Sequence, residues 1–165
     1  MRRRQTMRLL FLILLACLPS LGFAEVVRPA PDFVWLKSGD KGAALKSLRG
    51  QPVVLVVALS PLQRTFRAQV GQLQKVYQLL GNDEVVTVVA FTSEPGVIRS
   101  NIPFVLAANP ASVASSYGVS GDFAIFVIGK DGNLDALSER VLPGQRIIDI
   151  IKNSFVVQHD NRRSG

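Results

Sequence analysis

Two nearly unbroken apolar runs, Val53-Val54-Leu55-Val56-Val57-Ala58 and Val85-Val86-Thr87-Val88-Val89-Ala90-Phe91, flank one amphipathic segment, and this arrangement restricts the fold more than any other feature. Strands that face water on one side alternate apolar and polar residues, whereas such continuous runs belong to strands covered on both faces. Between them, residues 63–80 carry Phe66, Val70, Leu73, Tyr77 and Leu80 at steps of four, three, four and three, with Arg64, Arg67, Gln69, Gln72, Gln74 and Gln78 off the stripe. That period is helical, and Gly81-Asn82-Asp83 stops it. Strand, helix and strand in this order form a parallel pair joined by a right-handed crossover, which makes the chain α/β.

The remaining segments read as a second half. Pro31-Asp32-Phe33-Val34-Trp35-Leu36 alternates as a first strand, and Ser38-Gly39-Asp40-Lys41-Gly42 is a turn. Asn109-Pro110 opens a short helix through Tyr117, since Asn caps and Pro suits the first turn. Residues 123–128 form another apolar strand, turned by Gly129-Lys130-Asp131-Gly132-Asn133 into residues 134–137, and residues 145–155 form a last helix with Ile147, Ile148, Ile151 and Phe155 on one face. Trp35, Tyr77 and Tyr117 are expected in the core or at its edge.

Residues 1–24 read as an export signal. Arg2, Arg3, Arg4 and Arg8 form the basic start, residues 9–18 the apolar stretch, and Gly22-Phe23-Ala24 a small-x-small cleavage site. Leu14-Leu15-Ala16-Cys17 also resembles a lipobox, so cleavage after Ala24 and lipidation at Cys17 are both open. Without the four leader arginines, 19 basic residues become 15 against 12 acidic, and the net charge falls from +7 to +3. No basic patch interleaved with aromatics remains, which argues against nucleic acid. The expected organisation is a signal at 1–24, one domain at 25–157 and a flexible basic tail at 158–165, in a periplasmic or secreted protein that meets the membrane only through its leader or a lipid on Cys17.

Several stretches carry a family resemblance: Ala30-Pro31-Asp32-Phe33, residues 45–50 as an "L-x-x-L-x-G" lead-in, and the core strand at 53–58. Ile102-Pro103-Phe104-Val105-Leu106, then Ala114 to Val119 with Tyr117-Gly118-Val119, and Phe126-Val127-Ile128-Gly129-Lys130-Asp131-Gly132 follow in the family's order. Together they resemble the thioredoxin-like superfamily, in its branch of peroxiredoxins and periplasmic thiol-disulfide reductases. The resemblance implies a central mixed sheet, a parallel βαβ half plus an antiparallel hairpin half, flanked by helices.

In that family a Cys-x-x-Cys pair, or one peroxidatic cysteine, opens the helix after the first core strand, where the helix terminus favours the thiolate. The matching positions here are Ser60 and Gln63, or Gln63 and Phe66, and residues 25–165 contain no cysteine. The family's cis-proline is matched by Phe123, in Tyr117-Gly118-Val119-Ser120-Gly121-Asp122-Phe123. Thiol-disulfide exchange needs an attacking thiolate and a leaving sulfur, so this segment supplies neither partner of that reaction.

Other chemistry is poorly supported. Ser60 lacks a base, the one histidine being His159 in the tail, and Ser60 with Pro61 is expected to cap the following helix. Asp131, Asn133 and Asp135 open like a calcium loop, but Ala136 and Leu142 stand where it requires Gly and Glu. No catalytic residue, metal or cofactor is expected. The resemblance implies instead a redox-inactive module that holds an envelope protein or polypeptide client. Its groove is expected between residues 59–66 and 118–123, with Leu62, Phe66 and Phe123 as apolar contacts and Arg64, Arg67 and Asp122 at the rim. The alternatives are an accessory or diverged member of a thiol-disulfide oxidoreductase or peroxiredoxin-type antioxidant system, and a structural envelope lipoprotein.

Overall fold

The computed structural model describes residues 28–37 and 41–154. Residues 1–24, which carry the expected export signal and Cys17, and residues 155–165, which carry Phe155 and His159, lie outside the described residues. The strands are β1 (Val34–Lys37), β2 (Lys41–Ala44), β3 (Val53–Ala58), β4 (Val86–Phe91), β5 (Phe104–Leu106), β6 (Phe123–Ile128) and β7 (Leu134–Ser138). The α-helices are α1 (Arg64–Lys75), α2 (Tyr77–Asn82), α3 (Pro110–Ser116) and α4 (Gly144–Lys152), and a 3-10 turn spans Leu45–Leu48.

Five strands form one sheet in the order β5-β4-β3-β6-β7. β3, β4 and β5 run parallel, while β6 is antiparallel to β3 and β7 antiparallel to β6. This is the mixed sheet the sequence implied. β1 and β2 form a small antiparallel ribbon, joined to the main sheet by a bridge between Trp35 and Ala107.

All six residues of β3 are buried, because successive side chains enter different cores. Val54, Val56 and Ala58 meet Phe66, Leu73, Ile147, Ile148 and Ile151 beneath α1 and α4. Val53, Leu55 and Val57 meet Phe33, Trp35, Leu48, Val113 and Tyr117 on the opposite face. The absence of alternation in the sequence is the direct record of this double cover.

Local signals explain α3. The Asn109 side chain accepts the Ser112 N–H at 3.2 Å, and Pro110 occupies the first turn. Gly118 ends the helix at φ +66°, with its N–H on the Ser115 carbonyl and the Val119 N–H on the Ala114 carbonyl, a Schellman arrangement. Tyr117-Gly118-Val119 is therefore a helix stop whose tyrosine fills the core. The Tyr117 hydroxyl donates to the Pro31 carbonyl at 2.8 Å, and burial, then the charge of Asp32, pushes its pKa well above the usual tyrosine range.

Several expectations need correction. The single helix over 63–80 is divided at Val76, which leaves helical geometry at φ −117°, ψ 18°. Val76 is buried there in place of Tyr77, which is exposed, because the break shifts the phase of the apolar stripe. Gln69 is fully buried rather than on the polar face. Its amide donates to the Leu142 carbonyl at 3.0 Å and its oxygen accepts the Leu142 N–H at 2.7 Å, fixing the segment that precedes α4. Lys41 and Gly42 begin β2 instead of completing a turn, and β5 is a strand that composition did not announce.

Candidate functional site

The segment after β3 is where the resemblance places chemistry. Ser60 opens a turn whose closing bond runs from the Gln63 N–H to the Ser60 carbonyl at 3.2 Å. The N-cap of α1 is Gln63, so Ser60 with Pro61 does not cap the helix; the chain makes a full turn between them and the first helical residue. Gln63, common to both registers in which the resemblance would set a cysteine pair, stands at the mouth of the helix, and Phe66 lies in the first turn.

The Gln63 side chain ties two loops together. Its oxygen accepts the Leu59 N–H at 2.9 Å and its amide nitrogen donates to the Asp122 carbonyl at 3.1 Å. Thus an amide bridges the segments that correspond, by the resemblance, to the redox loop and the proline loop.

An aromatic layer lies beneath this bridge. Ala58 is in register with Phe91 on one side and Phe123 on the other, and the ring of Phe66 meets Phe91 edge-on at 5.1 Å. Phe66 is 1% exposed and Phe123 5%. Both were expected to offer apolar contact to a partner; strand register turns Phe123 into the core, while Phe66, buried by its helix phase, lies in the core and in the lining of the cavity beside α1. No cis peptide bond occurs among the described residues, the Asp122–Phe123 bond included.

An open groove runs beside α1. A cavity of about 690 Å³ runs between Ser60, Pro61, Leu62, Phe66, Arg67, Val70 and Gln74 on one wall and residues 94–99 on the other. Of the residues expected at a partner groove, Leu62 and Arg67 are among its lining, Arg64 is exposed nearby in sequence, and Asp122 and Phe123 are not part of it. The second wall is anchored by the Ser93 and Glu94 N–H groups on the Leu59 carbonyl, and by the Gln74 amide, which donates to the Ser100 hydroxyl at 3.5 Å and the Asn101 oxygen at 3.2 Å. Pro61 and Gly96 meet across the gap: a Cβ on Gly96 would sit 2.9 Å from the Pro61 ring.

Glu94, Val97 and Arg99 were missed as site residues. The available signal was the Pro95-Gly96 break in a connection of residues 92–103 between two parallel strands, where a crossover helix is ordinary. Elsewhere, Asp131 accepts the Asn133 N–H at 3.0 Å, which is turn chemistry. No cluster of three or more metal-ligating side chains occurs among the described residues.

No family model matches the chain, and no curated protein sequence does. Solved structures do. The pneumococcal exposed lipoprotein thioredoxin from Streptococcus pneumoniae superposes with a TM-score of 0.59 at 19% identity, over 75% of this chain and 100% of that one. The mitochondrial 2-Cys peroxiredoxin from Plasmodium falciparum gives 0.60 at 18% identity, over 85% and 98%. A thiol:disulfide interchange protein from Bacteroides sp. gives 0.59 at 16% identity, over 82% and 95%. The five-stranded mixed sheet, its flanking helices and these superpositions together establish that the chain has a thioredoxin-like fold, with no cysteine anywhere in residues 25–165.

Proposed function

We propose that this protein is an extracytoplasmic, redox-inactive thioredoxin-like module whose work is to bind an envelope protein or a polypeptide client. One observation carries the reading: at the mouth of α1, where the fold's enzymes present sulfur, this chain presents Gln63, and its amide is spent on holding two loops together. Exchange between thiols and disulfides requires one sulfur to attack and another to leave, and residues 25–165 provide none. The leader-like residues 1–24 and the likeness to an exposed lipoprotein thioredoxin support a place outside the cytoplasm.

A second reading, an accessory of a thiol-disulfide system whose sulfur comes from another molecule, is favoured by the names of the neighbouring structures. Cross-linking in cells separates the two. Under the first reading, the tagged protein captures the same partner before and after thiols are blocked, and Leu62→Asp with Arg67→Glu releases it. Capture that survives both substitutions, or that disappears when thiols are blocked, overturns it.

A further inference from the structure

The connection between β4 and β5 is unusual. Parallel neighbours need a long return path, ordinarily a helix that also covers the sheet. Here residues 92–103 make the return with no helix. Ile102 is buried and Ile98 packs on the core, while Pro95, Gly96 and Val97 are exposed. The space such a helix would fill is the trough beside α1, with Phe66, Val70 and Ile98 among its lining residues.

Two features of that trough point to an occupant. Val97 is 83% exposed and Leu62 78%, the highest values among the exposed large apolar side chains described, and both line this one cavity. Single exposed apolar residues are ordinary on a protein surface, but apolar residues on both walls of one groove mark an interaction site. The charge is also one-sided: Arg67 on the helix wall and Arg99 on the loop wall face one acidic lining residue, Glu94. Arg64 adds a further cation in the first turn of α1, a turn that contains no acidic residue. Cations there oppose the helix dipole, and an incoming carboxylate relieves both.

Resting on the binding reading above, we propose that this groove holds an apolar segment of another polypeptide with carboxylates beside its apolar residues, laid where the β4–β5 crossover helix is missing. The apolar side chains cover Leu62 and Val97, and the carboxylates meet Arg67 and Arg99. Acidic flanks should speed encounter and select the partner, so that basic segments of the same hydrophobicity are rejected.

The test uses two synthetic peptides of one leucine- and valine-rich sequence, flanked by aspartates in one and lysines in the other, titrated into the isotope-labelled chain and followed by amide NMR. The acidic peptide is expected to shift the amides of Leu62, Arg67, Glu94 and residues 96–99 and to bind about tenfold or more tightly than the basic one, a preference that shrinks as salt rises. Arg67→Glu with Arg99→Glu should reverse the preference, and Leu62→Asp with Val97→Asp should weaken the acidic peptide about tenfold. All four positions are exposed, and a glutamate in the first turn of α1 favours the helix, so these variants fold. Equal affinity for the two peptides, shifts centred on residues 118–122, or a preference untouched by the arginine reversal overturns the proposal. A chain inert towards disulfides yet indifferent to peptide charge loses this proposal alone; a chain that turns over disulfides loses the reading beneath it.

Discussion

Replacing Gln63 by Ala removes a side chain whose hydrogen bonds join the segment after β3 to the segment before β6. Two hydrogen bonds go, one to the part-buried Leu59 N–H and one to the more exposed Asp122 carbonyl. Each such bond contributes about 0.5–1.5 kcal/mol net, and because Gln63 is half-buried, water can replace part of the loss, so the expected cost is about 1–2 kcal/mol. At roughly 3–5 °C per kcal/mol for a domain of this size, Tm should fall by about 3–10 °C. Urea unfolding should show a lower midpoint with an unchanged slope, because the folded core is intact. Gln63→Glu keeps an acceptor for the Leu59 N–H but sets a carboxylate against the Asp122 carbonyl, and should fall between the parent and the alanine variant. Exchange of the Leu59 amide should quicken in the alanine variant and not in the glutamate one. A Gln63→Ala protein within about 0.5 kcal/mol of the parent, the range of an ordinary surface change, would refute the bridge.

Other expectations follow from single contacts. Gly144→Ala places a Cβ 2.3 Å from the Gln72 backbone oxygen and 3.0 Å from Val76, which forces α4 off α1; a loss of about 1–3 kcal/mol or more is expected by thermal unfolding. Tyr117 has its folded pKa raised above the ordinary 10.0, chiefly by burial, so its contribution to stability is complete below pH 10 and is lost as pH rises beyond it. Tyr117→Phe should therefore flatten the alkaline limb of a stability-against-pH curve, and an unchanged limb contradicts the assignment. Gln63→Cys puts a thiol at the mouth of α1 beside Arg64 and Arg67, and alkylation against pH should give a thiol pKa about one to two units below the usual 8.5; an ordinary value contradicts the positive character of this end of the helix.

How much of this was legible in sequence depended on how local each signal was. β3, β4 and β6 were readable because burial on both faces leaves a run with almost no polar residue, and α3 because Asn109, Pro110 and Gly118 each perform a local task. Gln69 was misread for the opposite reason: its partner, Leu142, lies 73 positions away, so a glutamine within a helix looked solvated when it was serving as a backbone mimic in the core. β5, with three residues, is a strand by virtue of pairing with β4, which composition cannot report. The cavity beside α1 was not announced in the sequence because its second wall, residues 94–99, carries no motif, and the inward turn of Phe123 follows from strand register with Ala58 rather than from its own neighbours. That residues 25–165 contain no cysteine needed no structure to be seen.

The central claim is that the fold has been kept without sulfur chemistry, and turnover measures it most directly. The purified chain with Cys17→Ser, which removes the one thiol in the sequence, is incubated metal-free with a model disulfide and reductant, and separately with hydrogen peroxide. Rates equal to those of a heat-killed control are predicted in both assays; sustained disulfide reduction or peroxide consumption above that control contradicts the account.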